Sequence, residues 1–341
     1  MSNTTGPLAA VPRRGARPPI SRQSAAALVQ RWALLVVLAV VVAGFCISSP
    51  EQFATTANFR DILNSQPPLV FIALGAMLVL VAGEFDLSLG AILGLSQYLV
   101  LKLMGDAGLA WPLAVMLTLG AAALIGLVNA AFVVGLGINS FVATIGVATV
   151  LAGLLEWLSD GNAPIVDGAA PGFLDLAQTG LGGIGLPVLY ALFAAVVLWI
   201  VLEYTVTGSE TRATGANRQA ALLSGLRTKR ASILAFATAG LLAGIGGVLI
   251  TARVGAADAT SGPGYLLPAY AAAFLGATAI RPGSFNVWGT VIAIFVVAVG
   301  ITGLQLNGAD SWVTPTFNGV ILLVAVTVSV LAARRRGARM P

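Results

Sequence analysis

Charge is what this sequence lacks most. Only 9% of its 341 residues are Asp, Glu, Lys or Arg, where a soluble globular domain carries about a quarter. Apolar residues make up 58% and mean hydropathy is +0.94. These values exclude a soluble domain, a disordered chain and a nucleic-acid-binding domain, despite the net charge of +5. Histidine is absent altogether. That removes histidine-based catalysis, histidine metal ligands, haem ligation and the side chain best suited to a proton relay. The single cysteine, Cys46, excludes an internal disulfide and any multi-cysteine metal site.

Motifs are missing as well. A Walker A loop needs Gly-Lys-Ser/Thr to cradle phosphates, and the two lysines, Lys102 and Lys229, follow Leu101 and Thr228. No arginine ladder or TVGYG-like filter appears in an apolar segment, so a voltage sensor and a potassium-type channel are excluded. No enzyme activity, cofactor or metal is expected of the chain.

What is present is apolar sequence in long runs. A helical crossing needs about 20 mostly apolar residues, so a chain of this composition holds roughly ten crossings. Gly, Pro and hydropathy place them at 32–48, 66–82, 88–104, 111–134, 139–158, 186–204, 231–252, 268–280, 286–305 and 316–333. The eighth is short. The run 33–47 resembles a signal-peptide core, but Phe45 precedes Cys46 and no small-residue cleavage site follows, so a first membrane helix is the expectation. Residues 1–31 read as a disordered basic tail, 32–333 as the transmembrane domain and 334–341 as a second basic tail.

Ten crossings put both termini on one side. With that side cytoplasmic, the positive residues divide 15 inside to three outside, the outer ones being Arg60, Lys102 and Arg253. The outer segment 159–185 carries Asp160, Asp167 and Asp175 without a base. The inner segment 205–230 is polar and longer than a turn needs, and reads as short helices outside the membrane.

Carboxylates inside the spans are sparse. Glu156 and Glu203 lie near span ends and are expected to reach water. Asp86 has two compatible roles: capping the third span's N-terminus with help from Ser88, or lining a translocation path. Gly240-Leu241-Leu242-Ala243-Gly244 is a GxxxG run that either packs within the subunit or forms a dimer seam. The turns Gly83–Gly90 and Gly255–Gly264 are alike and five spans apart. They suggest an inverted repeat of five plus five helices, unless any turn in a Gly-rich membrane protein looks this way.

Four segments together resemble a known family. The run Ala213-Thr214-Gly215-Ala216-Asn217-Arg218-Gln219-Ala220-Ala221-Leu222-Leu223-Ser224-Gly225 resembles the cytoplasmic coupling segment of ribose/xylose-type ABC importer permeases, A-x-G-x-N-x-x-A-A-x-x-S-G. Gln219 stands where the broader importer signature has Glu. Gly83-Glu84-Phe85-Asp86-Leu87-Ser88-Leu89-Gly90 resembles the family's G-G-I-D-L-S-V-G, with Glu84 in place of Gly. Asn139–Gly146 resembles P-P-F-I-A-T-L-G. Phe274–Thr290 resembles G-G-T-x-x-x-G-G-x-G-S-x-x-G-T.

The resemblance implies an all-α permease in a bacterial plasma membrane. Its partners would be a cytoplasmic ABC ATPase, an extracytoplasmic sugar-binding protein and a second permease subunit, identical or not. It implies coupling through Gly215, Asn217, Gln219, Ala220, Ala221, Ser224 and Gly225. Gly83, Asp86, Ser88 and Gly90 would serve as path or helix cap. The alternatives are a secondary carrier or channel, or an ABC permease for nucleosides or branched-chain amino acids.

Overall fold

A computed structural model describes residues 20–159, 170–258 and 261–335. Among them the protein is helical, apart from one short ribbon. The first helix, α1 (Ile20–Ser48), is followed by α2 (Pro50–Phe53), α3 (Thr56–Ser65) and α4 (Pro67–Val81). Next come α5 (Leu89–Gly105), α6 (Trp111–Ala130) with a π-turn over Ala131–Gly135, and α7 (Ser140–Ser159). After α8 (Pro171–Gln178), β1 (Gly180–Leu181) pairs antiparallel with β2 (Ile184–Gly185). Then follow α9 (Leu186–Tyr204), α10 (Val206–Ala216), α11 (Arg218–Leu223) and α12 (Thr228–Val254). The last three are α13 (Gly262–Gly276), α14 (Val287–Leu306) and α15 (Val313–Arg335).

Proline sets several helix starts. It occupies the first turn of α4, α6, α9 and α13, where its missing N–H is no loss. By length and composition, five helices can each cross a membrane: α6 with its π-turn, α7, α9, α12 and α14. A sixth is formed if α3 and α4, bent by 42° at their junction, make one broken span. The protein is thus an all-α, multi-pass membrane protein.

Two expectations shift. The eighth segment begins at Gly262 rather than 268, because Pro263 opens α13 and Pro268 is tolerated inside it. Its 15 residues reach only about 22 Å at about 1.5 Å each, less than a bilayer core of about 30 Å. At the N-terminus, α1 starts within the segment read as a tail. Residues 1–19 and 336–341, and the acidic stretch holding Asp160 and Asp167, lie outside the described residues.

At the centre, α4 is buried along almost its whole length. α12 packs across α4, α5 and α6. Its Gly240 and Gly244 meet α6: a Cβ at Gly240 would lie 2.5 Å from the Ala122 carbonyl oxygen, and one at Gly244 2.5 Å from Ala122 Cβ. The GxxxG run therefore packs within the chain, and its face is not free to form a dimer seam. Met116 and Leu124 of α6, Val150 of α7 and Phe193 of α9 point outward and exposed, as helix faces in lipid do.

Candidate functional site

In the turn from Gly83 to Ser88, Glu84, Asp86 and Ser88 are buried and the residues between them half-buried, and backbone groups without water must find partners in the protein. Each N–H from Glu84 to Ser88 has one. Glu84 N–H donates to the Val79 carbonyl (3.1 Å), Phe85 N–H to Ser140 Oγ (3.1 Å) and Leu87 N–H to Thr144 Oγ1 (3.0 Å). Asp86 N–H donates to the Tyr270 hydroxyl (2.9 Å), which in turn donates to the Asp86 carbonyl (3.0 Å). Ser88 N–H donates to Asp86 Oδ1 (2.9 Å). Two motifs that lie apart in sequence, 83–90 and 139–146, thus assemble into one structure: Ser140 and Thr144 of the second accept the Phe85 and Leu87 N–H groups of the first.

The acceptor role expected of Asp86 falls just before the helix. Its carboxylate takes the N–H and hydroxyl of Ser88, the residue preceding α5, while Ser88 makes no side-chain cap to the helix. Asn129 of α6 donates to both Asp86 and Ser88. Its own Oδ1 is buried without a partner.

The second turn repeats part of this pattern, although Tyr98 donates to the Leu158 carbonyl rather than to the turn. Gly83, Asp86, Gly90 and Tyr98 recur at one constant spacing as Gly255, Asp258, Gly262 and Tyr270. Gly83 and Gly255 both take positive φ, +80° and +75°. Asp86 N–H bonds to Tyr270 on α13, and Asp258 N–H bonds to Gln97 Oε1 on α5 (3.4 Å). The N-terminal turns of α5 and α13 meet backbone to backbone. A Cβ on Gly90 would lie 2.8 Å from the Gly262 carbonyl oxygen, and one on Gly262 2.2 Å from that of Gly90.

The segment 205–230 folds as α10 and α11, two short helices. Thr205 caps α10 by accepting the Gly208 N–H, and Asn217 caps α11 by accepting the Ala220 N–H (3.0 Å). Gly215 lies against the buried turn. A Cβ there would sit 2.1 Å from the Val81 carbonyl oxygen and 2.9 Å from Gly83 N. Ala221 is buried, whereas Gln219, Ala220, Ser224 and Gly225 are exposed. Leu222 and Leu223 are exposed at 53% and 91%, so the tip of α11 offers an apolar knob. Gly83 and Gly215 are brought together, while Gln219, Ala220, Ser224 and Gly225 lie at the surface.

Sequence reasoning missed the ionic contacts that anchor this segment. Arg218 Nη1 donates to Glu84 Oε1 (2.8 Å), and Nη2 to Ser232 Oγ on α12. Glu203, expected to reach water, instead holds Arg212 and Arg281 on its two carboxylate oxygens. Arg212 also reaches Ser284 and the Phe285 carbonyl. Burial lowers the Arg212 pKa from its ordinary value, and the adjacent Glu203 charge opposes that shift. The signal for the first pair was an acid at position 84, where the resembled motif has Gly, and a base inside the coupling pattern. Glu156 is exposed, as expected.

In the fourth motif, Asn286 accepts the Gly289 N–H and donates to the Gly276 and Ala279 carbonyls. It ties the end of α13 to the start of α14. Among the described residues no cluster of His, Cys, Asp and Glu could hold a metal. A cavity of about 620 Å³ between α4, α9, α10 and α12 is lined mainly by Phe71, Leu198, Leu242 and other apolar groups. A second, of about 450 Å³, is polar and lies between α3, the ribbon and Arg253.

A family model described as "Branched-chain amino acid transport system / permease component" matches residues 58–328. The chain is 32% identical over 292 residues, 86% of its length and 89% of the relative's, to the ribose import permease protein RbsC of Bacillus subtilis (strain 168). It is 30% identical over 307 residues (89% and 93%) to the D-allose transport system permease protein AlsC of Escherichia coli (strain K12). Identity to the autoinducer 2 import system permease protein LsrD of that strain is 29% over 269 residues (78% and 81%). No solved structure matches.

Proposed function

The chain belongs to the permease-component family of branched-chain amino acid transport systems, and from that premise we propose how it works as the membrane-spanning subunit of an ABC importer for a sugar or sugar-like solute. The sugar class is favoured over amino acids by the ribose and allose permeases, which match most of the chain. The observation that carries the mechanism is the seat of α10 on the Gly83–Ser88 turn. The part of the chain patterned for ATPase docking leans directly on a turn whose N–H groups from Glu84 to Ser88 are all hydrogen-bonded within the protein. A partner ATPase grips the exposed tip of α11, and its movement on binding and releasing ATP shifts α10 against the turn. α5 and α13, which meet at Gly90 and Gly262, rock with it and alternate access.

Ten crossings, both termini cytoplasmic and an inverted repeat of five plus five belong to the same reading. The 15-to-3 division of basic residues supports the topology. The reciprocal contacts of the two turns support the repeat. On this topology the polar cleft beside Asp61, Asn64 and Arg253 faces outward, where an extracytoplasmic sugar-binding protein docks. A second permease subunit, identical or not, completes the path.

The test is uptake of labelled D-ribose and D-allose, with leucine as control, by vesicles holding the permease with its ATPase and binding protein. Sugar uptake that needs ATP is the expected result. Uptake of leucine alone would move the substrate class. Sugar uptake driven by an ion gradient without the ATPase would restore the secondary-carrier reading.

A further inference from the structure

Two different contacts join the coupling segment to the Asp86 turn. The first is steric: Gly215 and Gly83 touch backbone to backbone, with no room for a side chain on either. Such a contact resists compression steeply and separation only weakly. The second is ionic: Arg218, the first residue of α11, reaches from beside the exposed tip to Glu84 at 2.8 Å. The Glu84 side chain is only 11% exposed and Arg218 39%, so the pair is partly shielded from water. An ion pair resists separation.

The turn does not need this carboxylate for its own hydrogen bonds. Ser140, Thr144, Tyr270 and Asp86 satisfy the N–H groups from Phe85 to Ser88, and the Glu84 side chain takes no part in that set. Its reach is outward, to Arg218. Arg218 also donates to Ser232 on α12, so the pair joins the coupling segment, the turn and the central helix at one point.

We infer that Glu84 and Arg218 form a positioning strut that pulls the Asp86 turn after the coupling segment on the return stroke, while the Gly215–Gly83 contact pushes it on the forward stroke. This inference rests on the importer reading. Both residues are positioning residues: neither touches the solute or ATP.

The strut is tested in the complete complex, permease with ATPase and binding protein, carrying Glu84→Gln, Arg218→Gln or the reversed pair Glu84→Arg with Arg218→Glu. Folded yield, ATP hydrolysis and uptake of labelled D-ribose and D-allose are measured side by side. Each single variant is expected to assemble and to hydrolyse ATP within about twofold of the parent, while ATP consumed per sugar imported rises roughly tenfold, the size of a coupling between contacting charges. The reversed pair is expected to bring that ratio back to within about threefold of the parent, as a pairwise coupling requires. A parent-like ratio in both single variants overturns the strut alone. So does a loss of uptake that follows folded yield and is not recovered by the reversed pair. A parent complex that imports neither sugar overturns the importer reading, and the strut falls with it.

Discussion

Tyr270 serves the Asp86 backbone twice with one hydroxyl, accepting its N–H and donating to its carbonyl. Tyr270→Phe leaves both groups unpaired in a dry interior, at about 1–3 kcal/mol for each. The expected outcome is a lower unfolding temperature for the purified protein in detergent, and an unchanged midpoint would show that water replaces the hydroxyl. Asp86→Asn keeps an acceptor for Ser88 N–H and is expected to fold. Asp86→Leu strands the Ser88 N–H and leaves the Ser88 hydroxyl without its acceptor, and its folded yield should fall well below that of the Asn variant. Gly215→Ala sets a methyl group 2.1 Å from the Val81 carbonyl oxygen. It should unseat α10 at an overpacking cost of about 1–3 kcal/mol, visible as loss of monodisperse protein. Asp86 stood out in the sequence because an acid among apolar residues is conspicuous. Ser140, Thr144 and Tyr270 did not, because a hydroxyl on an apolar helix has no pattern that names its partner. The Tyr98–Tyr270 match at the spacing of the two turns was present to be read.

Among elements, the polar segment 205–230 was legible as short helices, because low hydropathy and a length beyond a turn mark it. Its contact with a turn more than a hundred residues earlier was not, since nothing local specifies it. Helix starts were best read where Pro stands in the first turn. The start of α13 was placed at 268 rather than 262, although Pro263 stands in its first turn. The exposed Leu222 and Leu223 make no demand on the fold, so Leu222→Asp with Leu223→Asp should leave folding unchanged. The pair should abolish co-purification of the ATPase partner if the α11 tip is the docked surface. Retention of the ATPase by a folded variant would place the docking surface elsewhere.

For the molecule as a whole, both termini are expected in the cytoplasm. A reporter fused after Met340 should read inside, and an external reading would overturn the count of ten and the inverted repeat together. The membrane class was plain from composition, whereas the inverted repeat suggested by the two alike turns gains its support from contacts no local pattern specifies: each turn leans on a helix far away in sequence. That dependence bears on how the protein is made. In sequence 184 residues separate Asp86 from Tyr270, so the ribosome delivers the first turn to the membrane long before its partner exists. Until α13 is inserted, the nascent first half carries unpaired polar groups. Such an intermediate is a substrate for quality-control proteases. A chain ending at Tyr204 should therefore be short-lived in a pulse-chase experiment, and co-expression of residues 205–341 as a separate fragment should lengthen its half-life. A truncated half as durable as the full chain would mean that the first turn satisfies itself in lipid.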